Sequence, residues 1–353
     1  MSFFQKKQNK VDSETSNGMK ILIATGVYPP VLGGPSDYAK SLKEEFQKLG
    51  HTVYIRTFTI ERKLPTGIRH IFYFWKTLVA YLRADMTLVF DTFSVGLPVA
   101  CLRSIFRKDF ILRVGGDFLW EEYVERTREK ILLSHFYKEP RALTFKEKCI
   151  FLATKFVLSS ARHVVFNTHF QKDMWVPVYR IAPEKVSIIE NRIEPAVEAL
   201  PASGKTFVYA AARPLVWKNV DIVRDAFDIV KQKVPEARLE FLFGIPREEG
   251  IEKIKYSYAC ILISLGDLSP NYILRALSFG KPVILAEEIG IRERIGDAAM
   301  YVDPFDVEGI AGSIVRMCKK ELHDAYVQKV RMLSVTHTYT DIAQEFLALV
   351  HKN

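Results

Sequence analysis

The sequence predicts an α/β protein of two domains, each built on a parallel sheet with helices on both faces. Short β-rich runs alternate with helical patterns along the chain, as expected for parallel sheets. The 353 residues exceed the usual size of one domain. Residues 191–206 interrupt the alternation with Pro, Ser and Gly, and are predicted to link the two domains.

The first domain is predicted over residues 19–195, where six runs are typical of strands. They are KILIATG, TVYIRTF, MTLVFD, DFILRVGG, HVVFNT and KVSIIEN. The segment 37–50 between the first two runs is predicted as a helix. It places Tyr38, Leu42, Phe46 and Leu49 on one face.

The second domain is predicted over residues 205–335, with five strand-like runs. They are TFVYAAA, RLEFLFG, YACILIS, KPVILAE and AAMYVDP. A helix around 220–233 should stop near Pro235. Ser269 and Pro270 indicate another helix start, and Gly280 can supply its left-handed end. Two such domains would enclose a ligand cleft between the carboxyl ends of their strands.

Composition places the chain among ordinary soluble proteins, with 48% hydrophobic and 26% charged residues. The four cysteines lie far apart without CxxC spacing, which argues against a disulfide framework or a zinc site and favours the cytoplasm. They are Cys101, Cys149, Cys260 and Cys318. Residues 1–18 are polar and lack the apolar core of a signal peptide, so we expect a disordered lead-in.

The net charge of +9 is confined to the first half of the chain. Residues 1–200 carry 30 Lys and Arg against 21 Asp and Glu, whereas residues 201–353 carry 20 of each. The first half is therefore expected to meet an anionic partner, for which a membrane surface, a phosphorylated acceptor or a nucleic acid qualifies. A scattered, solvated surface would show the same excess. No basic run resembles a nucleic-acid-binding arm.

The segment 67–84 is rich in aromatic and aliphatic residues but contains Arg69, His70, Lys76 and Arg83. It is too short and too charged for a membrane-spanning helix. Two interpretations stay open: a helix lying on a membrane surface, or a core helix with one exposed edge.

Two strand ends carry groups suited to an anionic ligand. After the first strand, Gly33 and Gly34 allow close backbone approach and precede a helix whose N-terminal amides favour an anion, although a plain tight turn would look alike. In the second domain, Arg213 and Lys218 follow a strand and suit a diphosphate, Arg through a forked contact and Lys as a point charge. The alternative is two cations on a surface loop.

Acidic residues follow two further strands. Asp117 is a candidate general base or acceptor-orienting group, and equally a helix cap before Phe118. Glu287, Glu288 and Glu293 are candidates for binding sugar or ribose hydroxyls, and a solvated mixed-charge loop is the alternative for each. The sequence has no HExxH, nucleophile elbow, DxD or close His/Cys set, so we expect a metal-independent mechanism.

From Met19 onward the chain resembles the retaining glycosyltransferases of the GT-B fold, specifically family 4. The resemblance rests on the order of YPPVLGGPSDYAKSL, VFNTHFQKDMW, VSIIENRIE, ARPLVWKNVD, LSPNYILRALSFGKPVIL, IGIRERIG and AAMYVDPFD. It implies two Rossmann-like domains facing each other across a cleft, with the acceptor on the first and a nucleoside-diphosphate sugar on the second. It also implies that the last segment, 336–353, forms a helix that packs back on the first domain.

By position, the resemblance implies that Gly33 and Gly34 approach the donor diphosphate and that Arg213 and Lys218 neutralise it. The family commonly has two glutamates eight positions apart, and Asp267 and Arg275 stand at those positions. Asp267 keeps a carboxylate for a donor-sugar hydroxyl, whereas Arg275 cannot accept hydrogen bonds from ribose. Asn271, between them, is expected at the donor as well.

The resemblance implies an enzyme that moves a sugar from a nucleotide donor to an acceptor, and a glycan or lipid-linked acceptor of the cell envelope would fit both the basic first half and the aromatic segment 67–84. Such an enzyme would work in the cytoplasm, peripherally on the inner face of an anionic membrane. Two alternatives are a non-catalytic nucleotide-sugar or glycan-binding protein that lost turnover with Arg275, and a sugar-nucleotide epimerase.

Overall fold

The computed structural model describes residues 18–31, 33–65, 67–198, 200–202, 204–211 and 213–350. Its strands form a six-stranded sheet of order β2-β1-β3-β4-β5-β6 and a five-stranded sheet of order β11-β10-β9-β7-β8. All pairings within both sheets are parallel. The predicted α/β class with two parallel sheets is confirmed. The expected lead-in lies, apart from Gly18, outside the described residues.

The strands coincide with the predicted apolar runs. The first sheet contains β1 (Lys20–Thr25), β2 (Thr52–Thr57), β3 (Met86–Val89), β4 (Ile111–Val114), β5 (His163–Phe166) and β6 (Val186–Ile188). The second contains β7 (Thr206–Ala211), β8 (Arg238–Phe243), β9 (Ala259–Leu262), β10 (Val283–Ala286) and β11 (Ala299–Val302).

Helices connect successive strands in both domains. Those of the first domain are α1 (Gly34–Lys48), α2 (Ile68–Arg83), α3 (Gly96–Phe106), α4 (Phe118–Thr127), α5 (Leu133–Phe136), α6 (Phe145–Ser160) and α7 (His169–Tyr179). After β7 come α8 (Val220–Lys233), α9 (Arg247–Lys255), α10 (Asn271–Ser278), α11 (Arg292–Ile295), α12 (Val307–Met317), α13 (Lys320–Arg331) and α14 (Tyr339–Val350).

The two faces of the first sheet bury different residues of the same strands, because successive strand side chains point in opposite directions. Ile21 and Ile23 of β1 pack under α1 and α14. Leu22 and Ala24 face the core formed by α2, α3 and α6. The last helix, α14, therefore lies on the first domain, although the chain reaches it from the second.

Helix α10 starts slightly later than the sequence indicates. Pro270 is its N-cap residue rather than its first helical residue, and the buried hydroxyl of Ser269 makes no hydrogen bond. Its predicted end is correct. Gly280 has a φ of 68°, and Gly280 N–H and Lys281 N–H donate to the carbonyls of Leu277 and Ala276 in a Schellman arrangement.

A shared apolar cluster joins the two domains. Trp120, on α4 of the first domain, lies 5.5 Å from Trp217 of the second, measured between ring centroids. Leu265 and Leu268 of the second domain pack into the same cluster. The N–H of Leu133 also donates to the carbonyl of Leu265 at 3.0 Å. These contacts bring the loops after β4, β7 and β9 together at one edge of the cleft.

Helix α2 has one buried face and one exposed apolar face. Tyr73, Thr77 and Tyr81 are buried, and Lys76 turns inward to Glu61 at 2.7 Å. The opposite face exposes large hydrophobic side chains at helical spacing, namely Ile68, Ile71, Phe72, Trp75, Val79 and Leu82. The buried side belongs to the core and the exposed side is apolar, so both interpretations stay open. No helix in the described ranges is long and apolar enough to cross a membrane.

Candidate functional site

The loop after β1 places two glycines, Gly33 and Gly34, at the domain interface. Gly33 has a φ of 133°, which favours glycine, and its carbonyl accepts the N–H groups of Ser36 and Asp37 at the start of α1. A Cβ on Gly34 would lie 2.7 Å from Nδ2 of Asn271 in α10. The absence of a side chain at Gly34 therefore lets the two domains touch beside a helix N-terminus.

A hydrogen-bonded bridge runs from β4 to α10 across this interface. Arg113 donates through Nη2 to Oδ1 of Asn191 at 2.5 Å, and Nδ2 of Asn191 donates to Oδ1 of Asn271 at 3.0 Å. Arg113 is buried and stacks on Tyr38, with its guanidinium carbon 3.8 Å from the ring centroid. The bridge fixes Asn271, a predicted donor residue, against the first domain.

Lys218 and Asp267 form the central ion pair of the second domain's site. Nζ of Lys218 lies 2.9 Å from Oδ1 and 2.7 Å from Oδ2 of Asp267, and both side chains are nearly buried, at 13% and 12% exposure. The two residues follow β7 and β9, neighbouring strands of the sheet. The structure thus brings together two predicted site residues that are 49 positions apart.

Glu121 of α4 faces this ion pair from the first domain. Burial, followed by the negative charge of Asp117, raises the pKa of the Glu121 carboxyl to about 8, although Lys218 and Arg213 act in the opposite direction. A carboxyl with this pKa exchanges its proton near neutral pH, so it can serve as an acid or a base.

Asp117 has a structural position at the start of the same helix. One carboxylate oxygen caps α4 by accepting the N–H of Trp120 at 2.9 Å. The other accepts from the hydroxyl of Tyr137 at 2.7 Å and from Nε1 of Trp175 at 2.9 Å. Burial raises the pKa of Asp117, and these donors oppose the shift. Both oxygens are therefore occupied by groups of the first domain.

The other predicted residues are distributed around the cleft. Arg213 is exposed, and its charge acts on Glu121. The carboxylate of Glu288, in the second domain, accepts a hydrogen bond from the hydroxyl of Ser134 in the first domain and lies near His135. Glu287 and Glu293 instead line a depression shared with Asp297, Tyr326 and Lys329 beside the edge strand β11. Their donor-binding role stays a prediction.

Four residues that the sequence did not single out belong to this region: Arg113, Glu121, Asn191 and Arg247. The cation of Arg113 within the apolar run ILRV was a readable signal, because charged residues are seldom buried without a partner. Among the described residues, no group of three or more His, Cys, Asp or Glu side chains is arranged to hold a metal ion.

No protein-family model matches the sequence, and no curated protein matches it either. Solved structures do. Anabaena HepE in complex with UDP-glucose is 14% identical, with a TM-score of 0.69 over 95% of this chain and 100% of that one. A glycosyltransferase from Rickettsia africae is 13% identical, with a TM-score of 0.64 over 95% and 98%.

The lipopolysaccharide outer core galactosyltransferase WaaB in its apo form is 14% identical, with a TM-score of 0.60 over 94% of this chain and 99% of that one. The chain has the GT-B fold. The predicted architecture of two Rossmann-like domains is confirmed at this level. A GT-B cleft lies between the two sheets, where Gly34, Asn271, Lys218 and Asp267 are found.

The raised pKa of Glu121 predicts a specific pH dependence of stability. The folded-state pKa of about 8 exceeds the ordinary glutamate value of 4.5, so the folded protein holds this proton more tightly than the unfolded chain. Glu121 therefore destabilises the fold increasingly as pH rises from about 4.5 to about 8. Relative to wild type, Glu121→Gln should gain melting temperature over this range.

The measurement is the melting temperature of both proteins at intervals between pH 5 and pH 9. Glu122→Gln, one position further along α4 and paired with Lys146, controls for loss of an acidic residue. A constant difference between wild type and Glu121→Gln at every pH would show that Glu121 ionises as an ordinary surface carboxyl.

Proposed function

We propose that this protein is a retaining glycosyltransferase that moves a sugar from a nucleoside-diphosphate sugar to a glycan or lipid-linked acceptor. Two observations carry the proposal: Lys218 pairs with Asp267 after neighbouring strands of the second sheet, and Asn271 at the start of α10 meets the glycine-led start of α1. Cations and a helix N-terminus at the carboxyl ends of parallel strands suit a diphosphate. The UDP-glucose complex of HepE, a protein of the same fold, supports this choice of donor.

In the proposed reaction, the bond between the anomeric carbon and the diphosphate oxygen breaks while the acceptor oxygen bonds to the same face of that carbon. The acceptor's proton passes to the leaving phosphate. Negative charge grows on the diphosphate as the sugar becomes cationic, so Lys218 and Arg213 stabilise the transition state more than the ground state. Asp267 orients Lys218 and accepts a hydrogen bond from a hydroxyl of the donor sugar. The proposed transfer is metal-independent.

Nucleoside diphosphates should stabilise the protein. In a thermal-shift series with UDP, GDP, ADP and CDP, we expect one nucleotide to raise the melting temperature, with a gain of about 2.7 kcal/mol at a hundred times its Kd. Arg213→Ala should weaken the binding of that nucleotide about tenfold, since a charged hydrogen bond contributes about 1.5 kcal/mol or more. Arg238→Ala, an exposed arginine on β8, is the matched control. Absence of stabilisation by all four nucleotides would refute the proposal.

Arg275 is the observation that favours a second candidate function, a non-catalytic nucleotide-sugar or glycan-binding protein. Binding of a nucleotide sugar without release of the diphosphate, alone or with acceptor, would support this candidate. Turnover of any nucleotide sugar excludes it. Conversion of the nucleotide sugar to a stereoisomer without an acceptor would instead identify an epimerase, the third candidate.

We further propose that the first domain docks on the inner, cytoplasmic face of an anionic membrane. The exposed apolar face of α2 continues onto the end of α3, where Ile105 and Phe106 are also exposed. Lys108 joins the two segments by donating to the carbonyl of Leu82 at 3.0 Å. Exposed cations Arg83 and Arg107 flank this face. An apolar helix face with basic borders is typical of interfacial binding to anionic lipid.

This docking predicts sedimentation with vesicles that contain anionic phosphatidylglycerol, and weaker sedimentation at high salt. Trp75→Ser should reduce the bound fraction several-fold, because Trp75 is 65% exposed and its removal costs little stability. Phe305→Ser, which replaces an exposed aromatic residue (45%) of the second domain, should bind as wild type does. Equal binding by both variants would show that the α2 face does not meet the membrane.

A further inference from the structure

Arg275 is a half-buried cation for which the described residues provide no hydrogen bond and no ion pair. It lies one helical turn after Asn271 in α10, so the two side chains share a face. Asn271 contacts the position of Gly34 in α1. Arg275 therefore points toward α1 of the first domain, on the cleft side of its helix.

Two further arginines gather beside Arg275. Arg247, the first residue of α9, places Nε 3.2 Å from Oδ2 of Asp37 in α1. Arg192, in the segment between β6 and β7, lies over Tyr339 of α14 with its guanidinium carbon 5.6 Å from the ring centroid. Burial, followed by the positive charges of Arg247 and Arg192, lowers the pKa of Arg275.

The acidic groups at this cluster are already engaged. Asp37 pairs with Arg247, and Glu194 pairs with Arg192. Arg275 is left as the surplus charge. Arg247 also stands at the N-terminus of α9, where the helix dipole disfavours a cation. Three arginines with two acidic partners leave one half-buried positive charge uncompensated, which is unfavourable, and a bound anion removes the cost.

We propose that Arg192, Arg247 and Arg275 form a phosphate-binding site between the two domains, distinct from the cations Lys218 and Arg213. Guanidinium groups present paired N–H donors that match phosphate oxygens. Arg247 pairs with Asp37 of α1, and Arg192 follows Asn191, which donates to Asn271 one turn before Arg275. The ring of Tyr339 forms one wall. The site goes beyond the proposed transfer, because a diphosphate held by Lys218 and Arg213 leaves these arginines unused.

The first test is calorimetric titration of the full chain with inorganic phosphate. We expect wild type to bind phosphate, Arg275→Gln to bind at least about tenfold more weakly, and Arg238→Gln to bind as wild type does. Undetectable binding by wild type, or equal affinity in wild type and Arg275→Gln, would overturn the proposal.

The stability of the unliganded variant separates a binding role from a structural one. Removing a surplus cation relieves repulsion, so Arg275→Gln should melt at the same temperature as wild type or above it in a phosphate-free buffer. Phosphate should then raise the melting temperature of wild type alone. A lower melting temperature with undiminished phosphate stabilisation would mean that Arg275 serves the fold and binds no phosphate.

Titration in saturating UDP distinguishes the two sources of a phosphate group. If saturating UDP abolishes the binding of inorganic phosphate that depends on Arg275, the site takes a phosphate of the nucleotide itself. If inorganic phosphate and UDP bind to the protein at the same time, the site takes a phosphate of a second molecule, such as a phosphorylated acceptor. A protein that binds phosphate through Arg275 but no nucleoside diphosphate would retain this site while refuting the proposed donor.

Discussion

If the protein performs the proposed sugar transfer, Lys218→Ala should lower its rate by about 10²- to 10³-fold, the usual cost of removing one group that stabilises developing negative charge. The same change leaves Asp267 nearly buried and without its partner at 2.7 Å. Loss of one member of a buried pair typically costs about 3 kcal/mol or more of stability. Both effects are measurable, the first by diphosphate release at saturating donor and the second by denaturant unfolding.

Lys205→Ala is the matched control for this variant. Lys205 pairs with Glu236 at 2.8 Å, yet the two side chains are 32% and 60% exposed, against 13% and 12% for Lys218 and Asp267. Water screens the exposed pair, so its loss should cost less than about 1 kcal/mol and leave transfer unchanged. If a nucleotide raised the melting temperature of Lys218→Ala as much as that of wild type, Lys218 would not belong to the donor site.

The fold was predictable because its signals are local. Each strand of both sheets is a short apolar run, and the alternation of Ile21 and Ile23 with Leu22 and Ala24 follows from the two-residue period of a strand. The end of α8 at Lys233 agrees with the stop expected near Pro235. Neither the strand runs nor the end of α8 required knowledge of distant contacts.

Candidate site residues could be selected from sequence where charged residues follow a strand, and otherwise only through the family resemblance. Lys218 could be selected because it follows a strand and Asp267 because the resemblance places a glutamate there, but the contact of Lys218 with both carboxylate oxygens depends on the neighbouring positions of β7 and β9. The surroundings of Glu121 include groups of both domains, so no local pattern reveals its raised pKa. Asp117 shows the same limit, since its partners Tyr137 and Trp175 lie 20 and 58 positions away.

Trp120 is buried in the apolar cluster that joins the two domains, so Trp120→Ala should have the largest effect on stability. Trp120 is 1% exposed, and its indole Nε1 donates to the carbonyl of Ile131 at 3.1 Å. Its ring also packs against Gly266 of the second domain, where a Cβ would lie only 2.7 Å from the indole. Truncation of a buried tryptophan typically costs about 3–5 kcal/mol, and here the lost contacts join both domains.

We therefore expect Trp120→Ala to unfold at a lower denaturant concentration and to show a larger radius of gyration in solution scattering, since the domains lose the centre of their shared cluster. Trp75→Ala removes an equally large side chain that is 65% exposed, so it should change unfolding by less than about 0.5 kcal/mol. Addition of the stabilising nucleotide should partly restore the compact form of Trp120→Ala, because a ligand held by both domains favours closure. Identical scattering by wild type and the variant would mean that the bridge from Arg113 through Asn191 to Asn271 suffices to hold the cleft closed.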